Sequence, residues 1–361
     1  FISKTAVGTV AMVGFPSIVP AHVLGKDAPS NKINIGQIGC GRIARDHDIH
    51  DTIQFDDARY MAVCDLDSKR LADAKTLVNE YYKTKTGKDN YVDVKTYGDY
   101  RELLLNKDID AVVISTPDHW HSQPAMEAAL AGKDIYLQKP TSLTVREGQQ
   151  LRQVVEQTGV ILQVGTQQRA MAQFRYAAEL VRNGRIGKLH TVKIGLPGDP
   201  SGPEAAPMPI PVNLNFDMWL GSTPEVAYTE IGVHPQNDYS RPGWLRIRNY
   251  GAGMITGWGQ HHYDSAAWGM NTELTGPISV EALAEFPKSG LWNVHEDFFV
   301  KHEYENGISV YTSQGYTNGI KYEGTDGWIF VSRGDYQASA SDPVDKEKSS
   351  MALNASDPKI L

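Results

Sequence analysis

The chain has 361 residues, of which 41% are hydrophobic, which is ordinary for a globular protein long enough to bury two cores. The formal net charge of −8 at pH 7 argues against nucleic acid or an anionic membrane surface as a partner, because both would favour a basic patch. The two cysteines, Cys40 and Cys64, are predicted to be small buried residues, which excludes a disulfide framework or a cysteine metal site.

The first 25 residues have the layout of an export signal. They combine a basic residue, Lys4, with an apolar stretch of small residues and the exit sequence AHVLG, and they are too short and too rich in glycine to span a membrane. The first four residues, FISK, resemble the tail of a twin-arginine signal, so we expect an exported, periplasmic protein rather than a cytoplasmic one. The alternative interpretation of residues 1–30 is an ordered apolar arm packed on this or a neighbouring subunit.

The most informative stretch begins at residue 31. An apolar run, Ile33 to Ile38, predicts a buried parallel strand, and the next six residues read GCGRIA, which is the pattern G-x-G-x-x-A. The first glycine permits a tight bend, the second lets the backbone approach a pyrophosphate, and the small alanine lets the next helix pack with its amides aimed at the anion. The residues predicted to hold a dinucleotide here are Gly39, Cys40, Gly41, Arg42 and Ile43.

A second predicted strand, Tyr60 to Cys64, ends at Asp65. This carboxylate lies about 20 residues past the glycine turn, where it can accept both ribose hydroxyls of an adenosine. A 2′-phosphate beside a carboxylate would be repelled, so the sequence favours NAD over NADP. Lys69 and Arg70 lie close enough in the sequence to leave NADP open.

The rest of the N-terminal half predicts alternating helices and strands, which indicates an α/β fold with one parallel sheet. The predicted helices are Ser68 to Tyr82, Tyr100 to Leu105, Ser122 to Ala131 and Val145 to Thr158, and the predicted strands are Val92 to Thr96, Ala111 to Ser115, Asp134 to Leu137 and Val160 to Val164. Ligands bind at the carboxyl edge of such a sheet. Further cofactor contacts are therefore predicted at Thr116, Pro117, His119, His121 and Gln138.

Lys139 is the first candidate for the chemistry. It follows an apolar strand and precedes Pro140, so it is held at the edge where a nicotinamide would lie. From there a lysine can give a proton or a hydrogen bond to a substrate oxygen while hydride leaves the same carbon. Most lysines are solvated surface charges, but the position inside a cofactor fold favours the catalytic interpretation.

His261 and His262, in the segment GWGQHHYD, are the second candidates. His261 can shuttle a proton near neutral pH, with Asp264 orienting a ring or packing at a helix start. Adjacent residues on a helix point about 100 degrees apart, so one histidine is expected to face the substrate while the other packs elsewhere. A histidine pair also suggests a metal, but no carboxylate or cysteine set completes a site, so none is predicted.

At this point the chain resembles the Gfo/Idh/MocA family of oxidoreductases, named for glucose-fructose oxidoreductase and inositol dehydrogenase. The resemblance runs from Lys32 to at least Arg333 and rests on GCGRIA, AVCDLD, STPDHWH, YLQKP, VGTQQR and GWGQHHYD, in family order and spacing. It implies a Rossmann domain with a doubly wound parallel sheet, assigned to residues 31–168. It also implies a C-terminal α/β domain with an open, mostly antiparallel sheet, residues 169–361, which binds the sugar and forms a homo-oligomer.

Two departures from the family pattern bear on the chemistry. The family motif E-K-P falls on Gln138, Lys139 and Pro140, so Lys139 is the implied catalytic residue and its glutamate is a glutamine here. Loss of that negative charge should lower the pKa of the lysine. The family's D-x-x-x-H falls on Gly257 and His261, so the histidine is kept and another group has to orient it.

The segment after Lys139 fits the same family. Gln168 and Arg169, at the crossing into the second domain, are predicted to hydrogen-bond sugar hydroxyls, with further substrate contacts from Trp258 and His262. Residues 197–211 predict an irregular loop that covers a pocket. Strands are predicted at Ser279 to Ala284, Asp297 to Tyr304 and Ile308 to Gln314, with a hairpin turn at residues 305–307. Family members of this type carry a further helical portion after residue 361, so we expect a fragment at both ends.

Three functional classes remain. The favoured one is an NAD(P)-dependent oxidoreductase acting on a CH–OH group of a sugar or sugar derivative, with Lys139 and His261 in proton transfer. The second is a redox-neutral glycoside hydrolase or lyase, in which tightly bound NAD oxidises a sugar carbon, acidifies the neighbouring C–H bond and is regenerated within the turnover. The third is a non-catalytic relative that kept the fold, which the missing glutamate and aspartate suggest.

Overall fold

The first sheet of the protein is parallel, as the sequence predicts. The computed structural model describes residues 31–87 and 94–339. The strands of this sheet are β1 (Ile33–Ile38), β2 (Ala58–Cys64), β3 (Lys95–Tyr97), β4 (Ala111–Ile114), β5 (Asp134–Leu137) and β6 (Leu162–Val164). They pair in the order β3-β2-β1-β4-β5-β6, and every pairing is parallel. The predicted Rossmann fold is confirmed, and its ligand crevice lies where the strand order reverses, between β1 and β4.

Helices connect these strands on both faces of the sheet. They are α1 (Ile49–Ile53), α2 (Ser68–Thr86), α3 (Tyr100–Leu104), α4 (Ser122–Leu130) and α5 (Val145–Thr158). The end of α2 was predicted at Tyr82, where the apolar spacing stops, but the helix continues through residues 83–86 because lysine is a good helix former. The strand predicted from Val92 begins at Lys95, and its first two residues lie outside the described part of the chain.

The second sheet is mostly antiparallel, which confirms the predicted two-sheet fold class. Its strands are β7 (Leu189–Gly195), β8 (Ser279–Ala284), β9 (Phe298–Glu303), β10 (Ser309–Ser313), β11 (Gly319–Gly324), β12 (Trp328–Val331) and β13 (Tyr336–Ala338). They pair in the order β13-β12-β11-β7-β10-β9-β8, and only β7 and β10 run parallel to each other among the described pairings. The predicted hairpin turn at residues 305–307 joins β9 and β10.

One face of the second sheet is covered by two helices. The helices of this half are α6 (Ala172–Arg182), α7 (Phe216–Leu220), α8 (Met254–Gly257) and α9 (Gly259–Met270). Phe174 of α6 and Ala266 of α9 share a buried cluster with Ile194 and Ile320 of the central strands. This packing fixes the position of α9, which carries the histidine pair.

Several predictions fall on less regular segments. Residues 197–211 contain no helix or strand, as predicted. The export signal predicted in residues 1–30 lies outside the described residues. No helix of the described ranges, 31–87 and 94–339, is long and apolar enough to cross a membrane.

Candidate functional site

A deep cleft lies at the carboxyl edge of the parallel sheet, facing the second half of the chain. It encloses about 1750 Å³ counted with its open mouth. The predicted site residues that line it are Gly39, Gly41, Arg42, Ile43, Asp65, Thr116, Pro117, His121, Gln138, Lys139, Trp258 and His261. Five predicted residues lie outside the cleft lining: Cys40, His119, Gln168, Arg169 and His262.

The glycine turn has the shape that a pyrophosphate requires. Gly39 has a φ of 84°, and a Cβ on it would lie 2.8 Å from the backbone carbonyl of Ser115, so no other residue fits there. At Gly41 an added Cβ would meet nothing within 4 Å, which leaves the backbone open to the cleft. The turn leads through a helical stretch, Ala44–Asp48, into α1, so the first amides point at the cleft.

Asp65, at the end of β2, lines the same cleft and is anchored by the backbone. Its Oδ2 accepts the N–H of Cys40 at 2.6 Å and its Oδ1 accepts the N–H of Asp67 at 2.8 Å. Burial raises the pKa of Asp65, and these two hydrogen bonds act in the opposite direction. Cys40 itself is buried away from the cleft, so its contribution is the main-chain amide that positions the carboxylate.

Lys69 and Arg70, the two cations near Asp65 in the sequence, both donate hydrogen bonds to backbone carbonyls of the second half. The Nζ of Lys69 donates to the carbonyl oxygen of Gln236 at 2.7 Å, and an Nη of Arg70 donates to that of Pro235 at 2.8 Å. Lys69 lies outside the cleft lining, whereas Arg70 lines the cleft with Asp65 while one of its Nη groups is bonded to the backbone. The arrangement favours NAD.

We expect unmodified protein, once depleted of cofactor, to bind NAD more tightly than NADP. Replacing Asp65→Ser should narrow the gap by about tenfold, which corresponds to about 1.4 kcal/mol, by relieving repulsion of the 2′-phosphate. Calorimetric titration with both cofactors measures this gap, and Asp108→Ser, at an exposed loop position, is the matched control. Equal affinity of the unmodified protein for NAD and NADP would contradict the assignment of Asp65.

The two histidines of the turn after β4, His119 and His121, point in different directions. His121 lines the cleft, bonds through Nδ1 to the carbonyl of Pro140, and leaves a buried Nε2 without a protein partner among the described residues. Burial lowers its pKa to about 4, so the ring is neutral at pH 7. His119 instead packs between Trp219 and Tyr250, with Nε2 2.8 Å from the Trp219 carbonyl oxygen.

Lys139 occupies the centre of the cleft wall. Its Nζ donates to the carbonyl oxygen of Gly257 at 2.9 Å, so the position where the family pattern has an aspartate contributes its main chain. Burial lowers the pKa of Lys139, whereas the carboxylate of Asp118 raises it. Asp118 is buried, lines the cleft, and its Oδ2 has no hydrogen-bond partner in the described structure. Asp118 is thus the acidic group that acts on Lys139 where the family pattern has the glutamate. Burial raises the pKa of Asp118 to about 7, and the charge of Lys139 acts in the opposite direction.

Gln138 bonds to a second acid that sequence reasoning missed. Its Nε2 donates to Asp48 Oδ1 at 2.6 Å, and the Oγ of Ser115 donates to Asp48 Oδ2 at 2.5 Å. Burial raises the pKa of Asp48 to about 6. A carboxyl group therefore lies beside residue 138 although it comes from a different part of the chain.

The adjacent histidines of α9 point apart, as helical spacing predicts. His261 lines the cleft and its Nδ1 has no partner among the described residues. Burial, with the nearby cations of Lys139 and Arg333, lowers the pKa of His261 far below its usual range, so its ring is neutral. His262 is turned into the protein, with Nε2 2.9 Å from Asn318 Oδ1.

Gln168 and Arg169 join the crossing segment to α9. Gln168 is fully buried and its Nε2 donates to the carbonyl oxygen of His261 at 3.1 Å. Arg169 forms two hydrogen bonds to the carboxylate of Asp264, at 2.6 and 2.9 Å. This geometry does not support their predicted contacts with sugar hydroxyls, because both side chains form hydrogen bonds to α9 and lie outside the cleft lining.

No metal centre is visible at the histidine pair. Within residues 31–87 and 94–339, no three histidine, cysteine, aspartate or glutamate side chains come together as metal ligands.

The fold and cleft define a two-domain, Rossmann-type dinucleotide-binding protein. Family models match both parts: residues 33–166 match the NAD-binding Rossmann fold of the Gfo/Idh/MocA oxidoreductase family, and residues 201–344 match its C-terminal alpha/beta domain. The chain belongs to this oxidoreductase family, and the predicted NAD cofactor is confirmed.

Individual relatives carry two kinds of activity in their names. The chain is 31% identical over 162 residues to myo-inositol 2-dehydrogenase of Thermotoga maritima, covering 45% of this chain and 44% of that protein. It is 34% identical over 146 residues to Glycosyl hydrolase family 109 protein 2 of Shewanella sp., covering 40% of this chain and 30% of that protein. The matched segments thus span less than half of these curated relatives.

Solved structures share the fold at low sequence identity. The WlbA dehydrogenase of Chromobacterium violaceum, in complex with NADH and UDP-GlcNAcA, superposes with a TM-score of 0.64 at 19% identity, covering 90% of this chain and 82% of that one. GenD2 from gentamicin A biosynthesis, in complex with NAD, has a TM-score of 0.60 at 19% identity, covering 83% and 72%.

Proposed function

We propose that this protein is an NAD-dependent oxidoreductase that acts on a CH–OH group of a sugar or sugar derivative. The observation that supports it best is the convergence of Lys139, Asp118 and His261 on one wall of the cleft that the glycine turn opens. Two proton-carrying groups beside a dinucleotide site are what alcohol oxidation needs.

The described residues fit NAD. The glycine turn would hold the pyrophosphate and Asp65 the adenosine ribose, and the nicotinamide would then extend toward Lys139. When bound, NAD supplies the acceptor for a hydride from the substrate carbon.

The protein's own groups handle the proton. The ring of His261 lines the cleft and is neutral, so it can accept a hydrogen bond from a substrate hydroxyl. Its lowered pKa makes it a weaker base than an ordinary histidine. Lys139 lies between the Gly257 carbonyl and the charge of Asp118, which hold its ammonium group against that same hydroxyl. Trp258 also lines the cleft, with the guanidinium group of Arg333 over one face of its ring.

A redox-neutral glycoside hydrolase or lyase is the second candidate, because contacts around the adenosine end favour a cofactor that stays bound. The segment before α7 crosses this end: Asn213 donates to Asp67 Oδ1 at 2.8 Å, and its carbonyl accepts the N–H of Ser68 at 2.8 Å. His234 Nε2 lies 3.0 Å from Asp67 Oδ2. We propose that this closure slows release of NAD, as a reaction without net redox change requires.

One experiment distinguishes the two candidates. Full-length protein is purified, its NAD content is measured, and free sugars and glycosides are screened by mass spectrometry. The oxidoreductase predicts a product two hydrogens lighter with stoichiometric NADH, whereas the redox-neutral reaction predicts a cleaved glycoside and unchanged NAD. Retention of NAD without any product from either set would support the non-catalytic relative instead.

Export and self-association stay predictions. A homo-oligomer through the second sheet agrees with the exposed apolar side chains of Leu283 on β8 and of Phe299, its cross-strand partner on β9. Fractionation of cells producing the full-length protein tests the periplasmic location.

A further inference from the structure

We propose that the substrate carries an anionic group, a carboxylate or a phosphate, and that Arg333 and Arg241 bind it beside Lys139. The inference deepens the proposed function and rests on it for the role of the cleft. It starts from the two arginines, which come from separate segments of the second half and line the same cleft as Lys139.

Arg333 is oriented but not neutralised. Its Nε donates to Gln168 Oε1 at 3.2 Å, and its guanidinium carbon lies 4.5 Å from the centre of the Trp258 ring. These two contacts fix the plane of the guanidinium group. They leave both Nη groups without a carboxylate partner in the described residues, in the fork arrangement that suits a carboxylate or phosphate.

Arg241 likewise has no carboxylate partner. Its Nη1 contacts the sulfur of Met254 at 3.3 Å, which is a weak acceptor, and it forms no ion pair within the described ranges. Other arginines of this half have acids: Arg246 lies 3.2 Å from Asp199, and Arg169 lies 2.6 Å from Asp264. Arg246 and Arg169 thus form ion pairs with carboxylates, whereas Arg241 and Arg333 form none among the described residues.

The charges that line the cleft do not balance on the reacting side. Asp65 and Asp118 are its acidic lining residues among those described. Asp65 is at the adenosine end and is bonded to two backbone amides, so Asp118 is the lining carboxyl group that acts on Lys139. The positive charges of Arg333, Arg42 and Arg241 act on the same lysine, and Asp199, outside the lining, acts on Arg241. Cations outnumber the lining acids on this side of the cleft, and burial raises the pKa of Asp118 to about 7. This imbalance favours an incoming anion, which would relieve the mutual repulsion of the cations.

The rival explanation is that the arginines bind the cofactor's pyrophosphate. Arg42 lies in the glycine turn, where it would serve the pyrophosphate, and Arg333 contacts Trp258 and lies near His261, on the reacting side. Arg241 lies between these two ends, since the charge of Arg42 acts on it and its own charge acts on Lys139. The experiment separates the two explanations by measuring sugar and NAD affinity independently.

The test uses matched sugars and calorimetric binding to protein loaded with NADH. D-glucose is compared with D-glucuronate and D-glucose 6-phosphate, and D-galactose with D-galacturonate. We expect at least one charged sugar to bind about 10- to 100-fold more tightly than its neutral partner, the size of effect of a hydrogen-bonded ion pair. The uronate and phosphate arms identify which anion is preferred.

Arg333→Gln should bring that ratio close to one, and Arg333→Lys should restore part of it. Arg152→Gln, which removes an exposed cation of α5 paired with Glu156, is the control and should leave the ratio unchanged. Neutral sugars that bind as tightly as charged ones, or no binding by any charged sugar, would overturn the proposal. So would a loss of NAD affinity in Arg333→Gln and Arg241→Gln with an unchanged ratio.

NADH formation, followed separately, keeps the two proposals distinguishable. A charged sugar that binds without being oxidised would support the anion site and contradict the proposed oxidoreductase activity. Oxidation of neutral sugars alone would support the oxidoreductase activity and contradict the anion site.

Discussion

Lys139→Ala is expected to reduce kcat by about 100- to 10,000-fold, the usual contribution of a positioned proton-transfer group. NAD binding should remain nearly intact, because the Nζ of Lys139 bonds to Gly257 on the substrate side and takes no part in the glycine turn. Steady-state kinetics with the sugar identified by screening, together with calorimetric NAD titration, measure both quantities.

Two further variants sharpen this result. Lys95→Ala removes an exposed lysine from β3 and should leave kcat unchanged. Asp118→Asn removes the carboxylate that raises the pKa of Lys139, so the limb of the rate profile that belongs to Lys139 should move to lower pH. Full activity of Lys139→Ala would rule out its catalytic role, and a loss of NAD affinity would reassign it to the cofactor.

His261→Ala and His262→Ala should separate catalysis from packing. His261 faces the cleft, so its removal is expected to lower kcat by about 100-fold or more. His262 bonds to Asn318 and Gln168 inside the protein, so its removal should cost about 1–3 kcal/mol of stability and little activity. Kinetics and thermal unfolding of the two variants provide the measurements, each serving as the control for the other.

The pH dependence adds a check on His261. Burial and the neighbouring cations lower its pKa, so the neutral ring persists as the pH falls until that low pKa is reached. Protonation of His261 should therefore cause no decline in rate between about pH 5 and 8, the range in which an unperturbed histidine titrates. A large loss of kcat on removing His262, with a small one on removing His261, would reverse the assignment.

The cofactor half of the site was predictable because its signals are local. A six-residue strand, two glycines at fixed spacing and an acid after the next strand each have a short-range physical cause, and Gly39, Gly41 and Asp65 lie in the cleft as that pattern requires. His119 shows where such reasoning stops. Its position at a strand end predicted a cofactor contact, but Trp219, a hundred residues later in the chain, takes the ring into its own packing.

The substrate half depended on contacts between distant segments. Asp118 was visible within STPDHWH, yet its relation to Lys139 required the folded sheet edge. Gln168 and Arg169 were predicted to bind sugar hydroxyls because they lie at the crossing into the second domain, but residues of α9 supply hydrogen-bond partners for both. Arg241 and Arg333 have no local pattern that distinguishes them from solvated arginines.

The sequence by itself therefore determined the family, the Rossmann architecture, the NAD cofactor and the opposite orientation of His261 and His262, because periodicity and turn chemistry act over a few residues. Tertiary structure alone decided which polar side chains remain available for a ligand. A polar side chain is unavailable to a ligand when a residue from another part of the chain bonds to it, as for His119, Gln168 and Arg169. Among the described residues no carboxylate forms an ion pair with Arg241 or Arg333.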